Sequence, residues 1–107
     1  MPCYILFGRI AVPCPDLQTW VKWLQTHAAE TRVGLDQIGA LTVSTQFIGL
    51  VAPGTLEHPA LYSSIVSGRS GRPLTVAYVS SWDEAERKHA ELCAAARQAY
   101  RRRLTNI

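Results

Sequence analysis

Two segments of the chain place their apolar residues on a single helical face, so the rest of the chain must supply an apolar surface to cover both. We predict the first helix from Asp16 to about Ala29, and its stripe consists of Leu17, Trp20, Val21, Leu24 and Ala28. We predict the second from Trp82 to about Arg101, and its stripe consists of Ala85, His89, Leu92, Ala96 and either Ala99 or Tyr100.

Both helix starts carry capping residues. Asp16 stands at the N-cap position of the first helix, and Ser81 and Glu84 have the S-x-x-E spacing of a capping box before the second. Such side chains accept hydrogen bonds from amides that the first helical turn leaves unpaired, so both helices have defined beginnings.

Segments rich in β-branched and aromatic residues make up much of the remaining chain. Leu41 to Val51 alternates most clearly and is predicted to be a central strand. The other predicted strands are Cys3 to Val12, which Pro13 and Pro15 end, a short strand within Thr31 to Gly39, and a hairpin of Leu61 to Ser67 and Leu74 to Ser80 around the loop 68–73. Residues 52–59 have the proline and glycine content of a surface loop.

The predicted element order is β-α-β-β-β-β-α, and strands close in sequence favour antiparallel pairing. The fold class is therefore α+β, a two-layer sandwich in which an antiparallel sheet of four or five strands carries both helices on one face. At 107 residues, 48% of them hydrophobic, the chain has the size of one domain, residues 1–107, with 101–107 as a basic tail that can be flexible.

Positive charge is concentrated near the end of the chain. The net charge is +3, and four of the eleven basic residues, Arg97, Arg101, Arg102 and Arg103, lie in the last eleven positions. A folded domain that binds nucleic acid normally has a basic stripe across its surface, which the rest of this chain does not indicate. A nucleic-acid-binding or regulatory module that uses these arginines is therefore the alternative to the function favoured below.

The cysteines and the N-terminal stretch indicate the cellular compartment of the protein. Cys3, Cys14 and Cys93 are widely spaced and form no CxxC pair, which indicates neither a disulfide framework nor a zinc knuckle. No apolar run reaches about 20 residues, and no basic region precedes the apolar N-terminal stretch. These features predict a cytoplasmic protein with no membrane partner.

His89 is the most informative titratable residue because it lies within the apolar stripe of the second helix. A general base needs an acid or a nucleophile within reach, and no acid falls nearby on the same stripe, so we expect a buried histidine hydrogen-bonded to a strand. As metal ligands, Cys3, Cys14, His58 and His89 lack the closely spaced pair that is usual in zinc sites. We therefore predict no catalytic residues, no metal and no cofactor.

Two groups of residues are predicted to contact a partner. If the apolar stripe of the first helix faces the sheet, Trp23 and His27 lie on its flank, and tryptophans at such positions often dominate interface energies. Arg69 and Arg72 lie in the glycine-containing loop 68–73, which can contact a phosphate or an acidic surface, although it lacks the Walker lysine pattern and a following helix start. The alternatives are packing of Trp23 under the proline-rich loop and, for the arginines, a hairpin tip with solvated charges.

Three stretches of the sequence resemble a group of small, uncharacterised phage-encoded proteins. They are Asp16, Leu17 and Trp20 in a D-L-x-x-W helix, residues 43–50 as a V-S-T-x-F-x-G-L strand, and residues 82–89 as a W-x-E-A-x-x-x-H helix. Where that family has Phe-Glu-Thr, this chain has the residues Tyr62, Ser63 and Ser64, so it lacks the family's carboxylate. The resemblance covers most of the chain and implies a viral protein in a host cytoplasm, without an established reaction or ligand.

The resemblance, joined to the predicted lack of a catalytic site, implies a phage accessory protein that binds a host protein stoichiometrically. An inhibitor of a bacterial defence system such as CRISPR, an anti-CRISPR protein, is the expectation, and a homodimer is a further expected assembly. Two alternatives stay open: the nucleic-acid-binding module and a small enzyme centred on His89.

Overall fold

The computed structural model describes the backbone of residues 3–52 and 60–105 and the side chains of residues 3–50 and 60–102. In these residues six antiparallel strands and two α-helices form the α+β sandwich that the sequence predicts. The elements are β1 Cys3–Phe7, β2 Ile10–Cys14, α1 Leu17–Thr26, a 3₁₀ helix Ala28–Thr31, β3 Arg32–Ile38, β4 Leu41–Ala52, β5 Ala60–Ser67, β6 Pro73–Val79 and α2 Trp82–Thr105. The predicted loop at 52–59 lies, apart from Ala52, outside the described residues. No helix in the described part of the chain is long and apolar enough to cross a membrane.

The predicted first strand, Cys3 to Val12, is folded back on itself as the β1–β2 hairpin. Gly8 adopts φ +64° at the first of the two turn positions between Phe7 and Ile10, where type II′ turns favour glycine. Pro13 does not end the strand but lies within β2, an edge strand that tolerates a residue without a backbone donor. The sequence hides this turn because two residues barely interrupt the β-rich composition.

β4 is the centre of the sheet. The strand order is β2-β1-β4-β5-β6. β3 also pairs with β4: it lies along the first half of the same edge of β4, and β1 pairs with that edge further along the strand. Thr45 and Phe47, two residues apart on β4, project from the same face. Phe47 packs edge-on against Trp23 of α1, and Thr45 is hydrogen-bonded to His89 of α2. Both helices therefore cover one face of the sheet, as predicted.

α1 begins where the sequence predicts but is rotated about its axis. Asp16 is its N-cap, and its carboxylate accepts a hydrogen bond from the Thr19 amide at 2.7 Å. The predicted buried stripe is correct at Trp20 and Leu24, which are half-buried, but wrong at Leu17, which is 52% exposed, and at Val21, which is 39% exposed.

The two tryptophans of α1 face the sheet in place of the smaller aliphatic residues. Trp20 lies against Gly49, where φ is +74° and a Cβ would come within 2.5 Å of the indole nitrogen. Trp23 packs against the aromatic core that contains Phe47. Indole rings bury more apolar area than leucine or valine, and the glycine on β4 leaves the space that one of them needs.

α2 is longer than the sequence predicts. It begins at Trp82, as expected, and Ser81 Oγ accepts a hydrogen bond from the Glu84 amide at 3.2 Å. It continues to Thr105, so residues 101–105 are helical and the helix ends beyond the predicted end at about Arg101. Arginine and leucine, which make up most of this segment, have high helix propensity.

The buried side of α2 consists of Ala85, Cys93 and Ala96. His89 lies between them with 12% of its side chain exposed. Tyr100 is 43% exposed, but its ring covers Gly39 in the turn between β3 and β4, where a Cβ would be 2.5 Å from Cδ2. These contacts fix α2 along β3, β4 and β5.

Candidate functional site

A row of small and polar residues crosses the helix-covered face of the sheet beneath α2. The register pairs Gly34 of β3 with Thr45 of β4, and Thr45 with Ser64 of β5. His89 lies on Gly34, because a Cβ at this position would be 2.6 Å from His89 Nε2 and only glycine leaves room for the imidazole. Thr45 and Ser64 are fully buried. We call Gly34, Thr45, Ser64 and His89 the polar row.

Hydrogen bonds join the polar row into a chain. Ser64 Oγ and Thr45 Oγ1 are 2.8 Å apart, and Thr45 Oγ1 is 2.7 Å from His89 Nδ1. His89 Nε2 lies 2.7 Å from Oδ2 of Asp36, which is on β3 two residues after Gly34. The prediction of a buried histidine hydrogen-bonded to a strand is confirmed, and both ring nitrogens have partners.

Two residues that sequence reasoning did not select complete the site. No acid lies on the same stripe of α2 as His89, but β3 supplies one, Asp36, which the helical pattern alone does not include. Cys93 lies one turn after His89, and its Sγ is 3.6 Å from Asp36 Oδ2. The spacing of His89 and Cys93 is itself a closely spaced ligand pair on one helical face, and this signal could have revealed the site. We call Asp36, His89 and Cys93 the acid–histidine–thiol cluster.

The charges within this cluster are set by its hydrogen bonds and its burial. The hydrogen bond with His89 lowers the pKa of Asp36, so the carboxyl group is ionised at neutral pH. Burial raises the pKa of the Cys93 thiol, and the negative charge of Asp36 raises it further. The guanidinium of Arg97, one turn beyond Cys93, lowers both pKa values.

The reactive atoms of the cluster lie on the solvent side of the imidazole. A hydroxyl, an imidazole and a carboxylate in sequence resemble a nucleophile with its base and orienting acid, but Thr45 and Ser64 are fully buried and no substrate reaches their hydroxyl groups. On the other side of the ring, Asp36 Oδ2, His89 Nε2 and Cys93 Sγ lie within 4.8 Å of one another. Asp36 is 48% exposed there. These oxygen, nitrogen and sulfur donors are of the kinds that hold transition metals in proteins.

The face of the sheet opposite the helices has a different composition. Three cross-strand rows of four residues lie on it: Arg32–Gln46–Ser63–Tyr78, Leu35–Ser44–Ile65–Val76 and Gln37–Thr42–Ser67–Pro73. Of these twelve residues only Arg32 is charged. Leu35 is 51% exposed, and Val76 and Tyr78 are each 44% exposed. We call this surface the open face.

The residues predicted to contact a partner lie in two different environments. Trp23 and His27 are half-buried, their rings stack with centroids 5.0 Å apart, and Trp23 also packs against Phe47. The expected flank position of Trp23 is therefore wrong, because the rotation of α1 turns this ring toward the sheet. Arg69 and Arg72 are exposed in the loop between β5 and β6, as predicted for that loop.

The arginines of the alternative function are spread around α2. Arg97 and Arg101 are one turn apart, and Arg102 is about 100° away from Arg101 around the helix. These three residues are exposed, and the side chain of Arg103 lies outside the described residues. Helical geometry thus places these arginines in no single stripe.

The two remaining cysteines lie on a different pair of strands. Cys3 and Cys14 are cross-strand partners in the β1–β2 hairpin and are free thiols. Their sulfur atoms lie 3.4 and 3.2 Å from the carbonyl oxygen of Asp16, and burial raises the pKa of Cys3. His58, the other ligand considered above, lies outside the described residues.

Comparison of the chain with protein-family models, with curated proteins and with solved structures finds no match. The resemblance to small phage-encoded proteins stays an expectation.

Proposed function

We propose that the protein acts by stoichiometric binding to a protein partner through the open face of its sheet. The observation that supports this proposal most strongly is the nearly uncharged centre of that face, where Leu35, Ile65 and Val76 share one cross-strand row. Tyr78 lies beside this row. The centres of protein interfaces are depleted of charged residues and enriched in tyrosine.

The charges around the open face favour a partner with an acidic border. Arg32 is its one charged residue, and the loop between β5 and β6 adds the exposed Arg69 and Arg72 at its margin. None of its twelve residues is acidic. A second copy of the chain would bring cations near cations, which opposes association, so we expect a different protein whose apolar contact surface is bordered by aspartate or glutamate.

The resemblance to phage-encoded proteins favours a bacterial host protein as this partner. In this proposal the chain is a phage accessory protein that acts in the host cytoplasm, and a component of a defence system such as CRISPR is the expected target. The nucleic-acid-binding alternative has less support, because Arg102 lies about 100° around α2 from Arg101 and outside the side that Arg97 and Arg101 share.

The experiment captures the partner from a nuclease-treated bacterial lysate with the tagged full-length protein. Val76→Glu and Leu35→Glu change the open face, and Leu17→Glu on the outer side of α1 is the matched control because Leu17 is equally exposed, at 52%. Since all three side chains are exposed, each variant should fold, which circular dichroism verifies. We expect wild type and Leu17→Glu to recover the same protein and both open-face variants to lose it.

Recovery of that protein by both open-face variants would contradict the proposal. Analytical ultracentrifugation of the purified protein tests whether a second copy of the chain binds the open face instead. A dimer that Val76→Glu dissociates would show that it does. Recovery that depends on omitting the nuclease would favour the nucleic-acid-binding module instead.

A further inference from the structure

We infer that the acid–histidine–thiol cluster, Asp36, His89 and Cys93, is a binding site for one Zn²⁺ ion. The inference is independent of partner binding at the open face, which lies on the other side of the sheet. It rests on three donor atoms of different elements, from β3 and α2, that lie within 4.8 Å of one another. Thiolate sulfur, imidazole nitrogen and carboxylate oxygen are the three ligand types that bind zinc in proteins.

The distance between the sulfur and oxygen donor atoms fits tetrahedral coordination. Bonds of about 2.3 Å to sulfur and about 2.0 Å to oxygen place a ligand sulfur about 3.5 Å from a ligand oxygen. The observed distance from Cys93 Sγ to Asp36 Oδ2 is 3.6 Å. Asp36 Oδ2 and His89 Nε2 are 2.7 Å apart, and they must separate by about 0.6 Å when the ion replaces the proton between them.

The polar row provides the outer hydrogen bonds of such a site. Histidines that bind a metal through one nitrogen almost always donate the other N–H to a fixed acceptor, which sets the tautomer and the ring orientation. With Nε2 on the ion, His89 Nδ1–H donates to Thr45 Oγ1, and the Thr45 hydroxyl donates to Ser64 Oγ. A zinc site thus gives a reason for two buried hydroxyl groups and a glycine beneath the imidazole.

The site is open to solvent on one side. Because Asp36 is 48% exposed, an ion can enter past its carboxylate. Three protein ligands leave a fourth position for water or another ligand, as in zinc sites that take part in chemistry. Binding releases the thiol proton of Cys93 and displaces the proton between His89 and Asp36, so that the imidazole carries its proton on Nδ1. Magnesium prefers an all-oxygen site and should not compete.

Titration of the reduced full-length protein with Co²⁺ tests the inference, because Co²⁺ bound to a thiolate shows a sulfur-to-metal charge-transfer band. We expect one Co²⁺ per chain, displaced by Zn²⁺ and not by Mg²⁺. Cys93→Ser should abolish the band. Cys3→Ser, which removes another buried thiol, is the matched control and should keep it.

A second ligand variant keeps the test decisive if Cys93→Ser fails to fold. Asp36 is half-exposed, so Asp36→Asn should remain folded by circular dichroism and should lower the Zn²⁺ affinity by about 10-fold or more. A charge-transfer band that survives in Cys93→Ser overturns the inference. So does a folded wild-type protein that binds no Co²⁺, or an Asp36→Asn variant that binds Zn²⁺ as tightly as wild type.

Discussion

The helix-covered face of the sheet contains two kinds of packing side by side. On one side, Phe47 meets Tyr62 and Trp23 edge to face, with ring centroids 5.2 and 5.9 Å apart. Two residues along the same strands, Thr45 and Ser64 are equally buried but place hydroxyl groups under the imidazole of α2. One pair of strands thus supports an aromatic cluster and, next to it, a polar row.

A contribution to stability explains the aromatic cluster but does not explain the polar row. Burying an aromatic side chain contributes several kcal/mol, whereas a satisfied buried hydrogen bond contributes about 1 kcal/mol net. The next row on the same strands, Val43 and Val66, shows that aliphatic residues fit at this depth. The polar row is therefore better explained by what it positions, His89 and through it Asp36, than by what it stabilises.

The largest effect should come from the aromatic cluster. Phe47 is 2% exposed and contacts both helix and sheet rings, so Phe47→Ala should lower the free energy of unfolding by about 3 to 5 kcal/mol. Chemical denaturation measures this change. A loss below about 1 kcal/mol would mean that the cluster contributes no more than the polar row beside it.

The next effect concerns the one residue that makes room for the imidazole. Gly34→Ala puts a Cβ 2.6 Å from His89 Nε2, so it should destabilise the fold by about 1 to 3 kcal/mol and displace the ring. Gly68→Ala is the control, because its Cβ would meet only Leu74 Cδ1 at 3.7 Å. Equal melting temperatures for the two variants would show that His89 does not occupy the space above Gly34.

A smaller effect concerns the pH dependence of stability that Tyr62 gives to the aromatic cluster. Burial raises the pKa of Tyr62 to about 12, from 10.0, so the folded state disfavours the phenolate. The contribution of the neutral Tyr62 side chain to the free energy of unfolding is complete below pH 10 and is lost as the pH rises toward 12. At pH 11 the loss is about 1.4 kcal/mol relative to a Tyr62→Phe variant. Parallel stability curves for the two proteins between pH 9 and 11 would contradict this assignment.

The smallest effect on stability should come from the open face. Val76 is 44% exposed, and Val76→Ser should change the free energy of unfolding by less than about 0.5 kcal/mol. The same change should weaken partner binding, because the centre of the proposed interface loses its apolar surface. A strong destabilisation would instead show that this side of the sheet is part of the core.

Much of the fold follows from the sequence because local signals agree with tertiary packing there. The alternation of Leu41 to Val51 and the caps at Asp16 and Ser81 predict a central strand and two helix starts that the structure contains. The rotation of α1 does not follow, since helical spacing allows two faces and the larger indole rings take the buried one. Trp23→Ala should consequently destabilise the protein.

The cluster follows from the sequence only in part. His89 and Cys93 are neighbours on one face of α2, and their four-residue spacing is visible in the sequence. Asp36 is not, because it reaches His89 only through the register of β3 on β4, and a shift of one residue would turn it to the open face. The register depends on the irregularity between Arg32 and Gly34, where the glycine indicates a turn or bulge but does not specify the pairing that results.

Thr45→Val offers the most direct measurement of whether the polar row serves ion binding or stability, because it removes one hydroxyl at nearly constant volume. Zn²⁺ affinity and the metal-free unfolding free energy would be measured on the same variant. We predict that the affinity falls about 10-fold as His89 loses its acceptor, while stability changes by no more than about 1.5 kcal/mol. Unchanged Zn²⁺ affinity together with a stability loss of several kcal/mol would contradict this account and make the row a structural hydrogen-bond network.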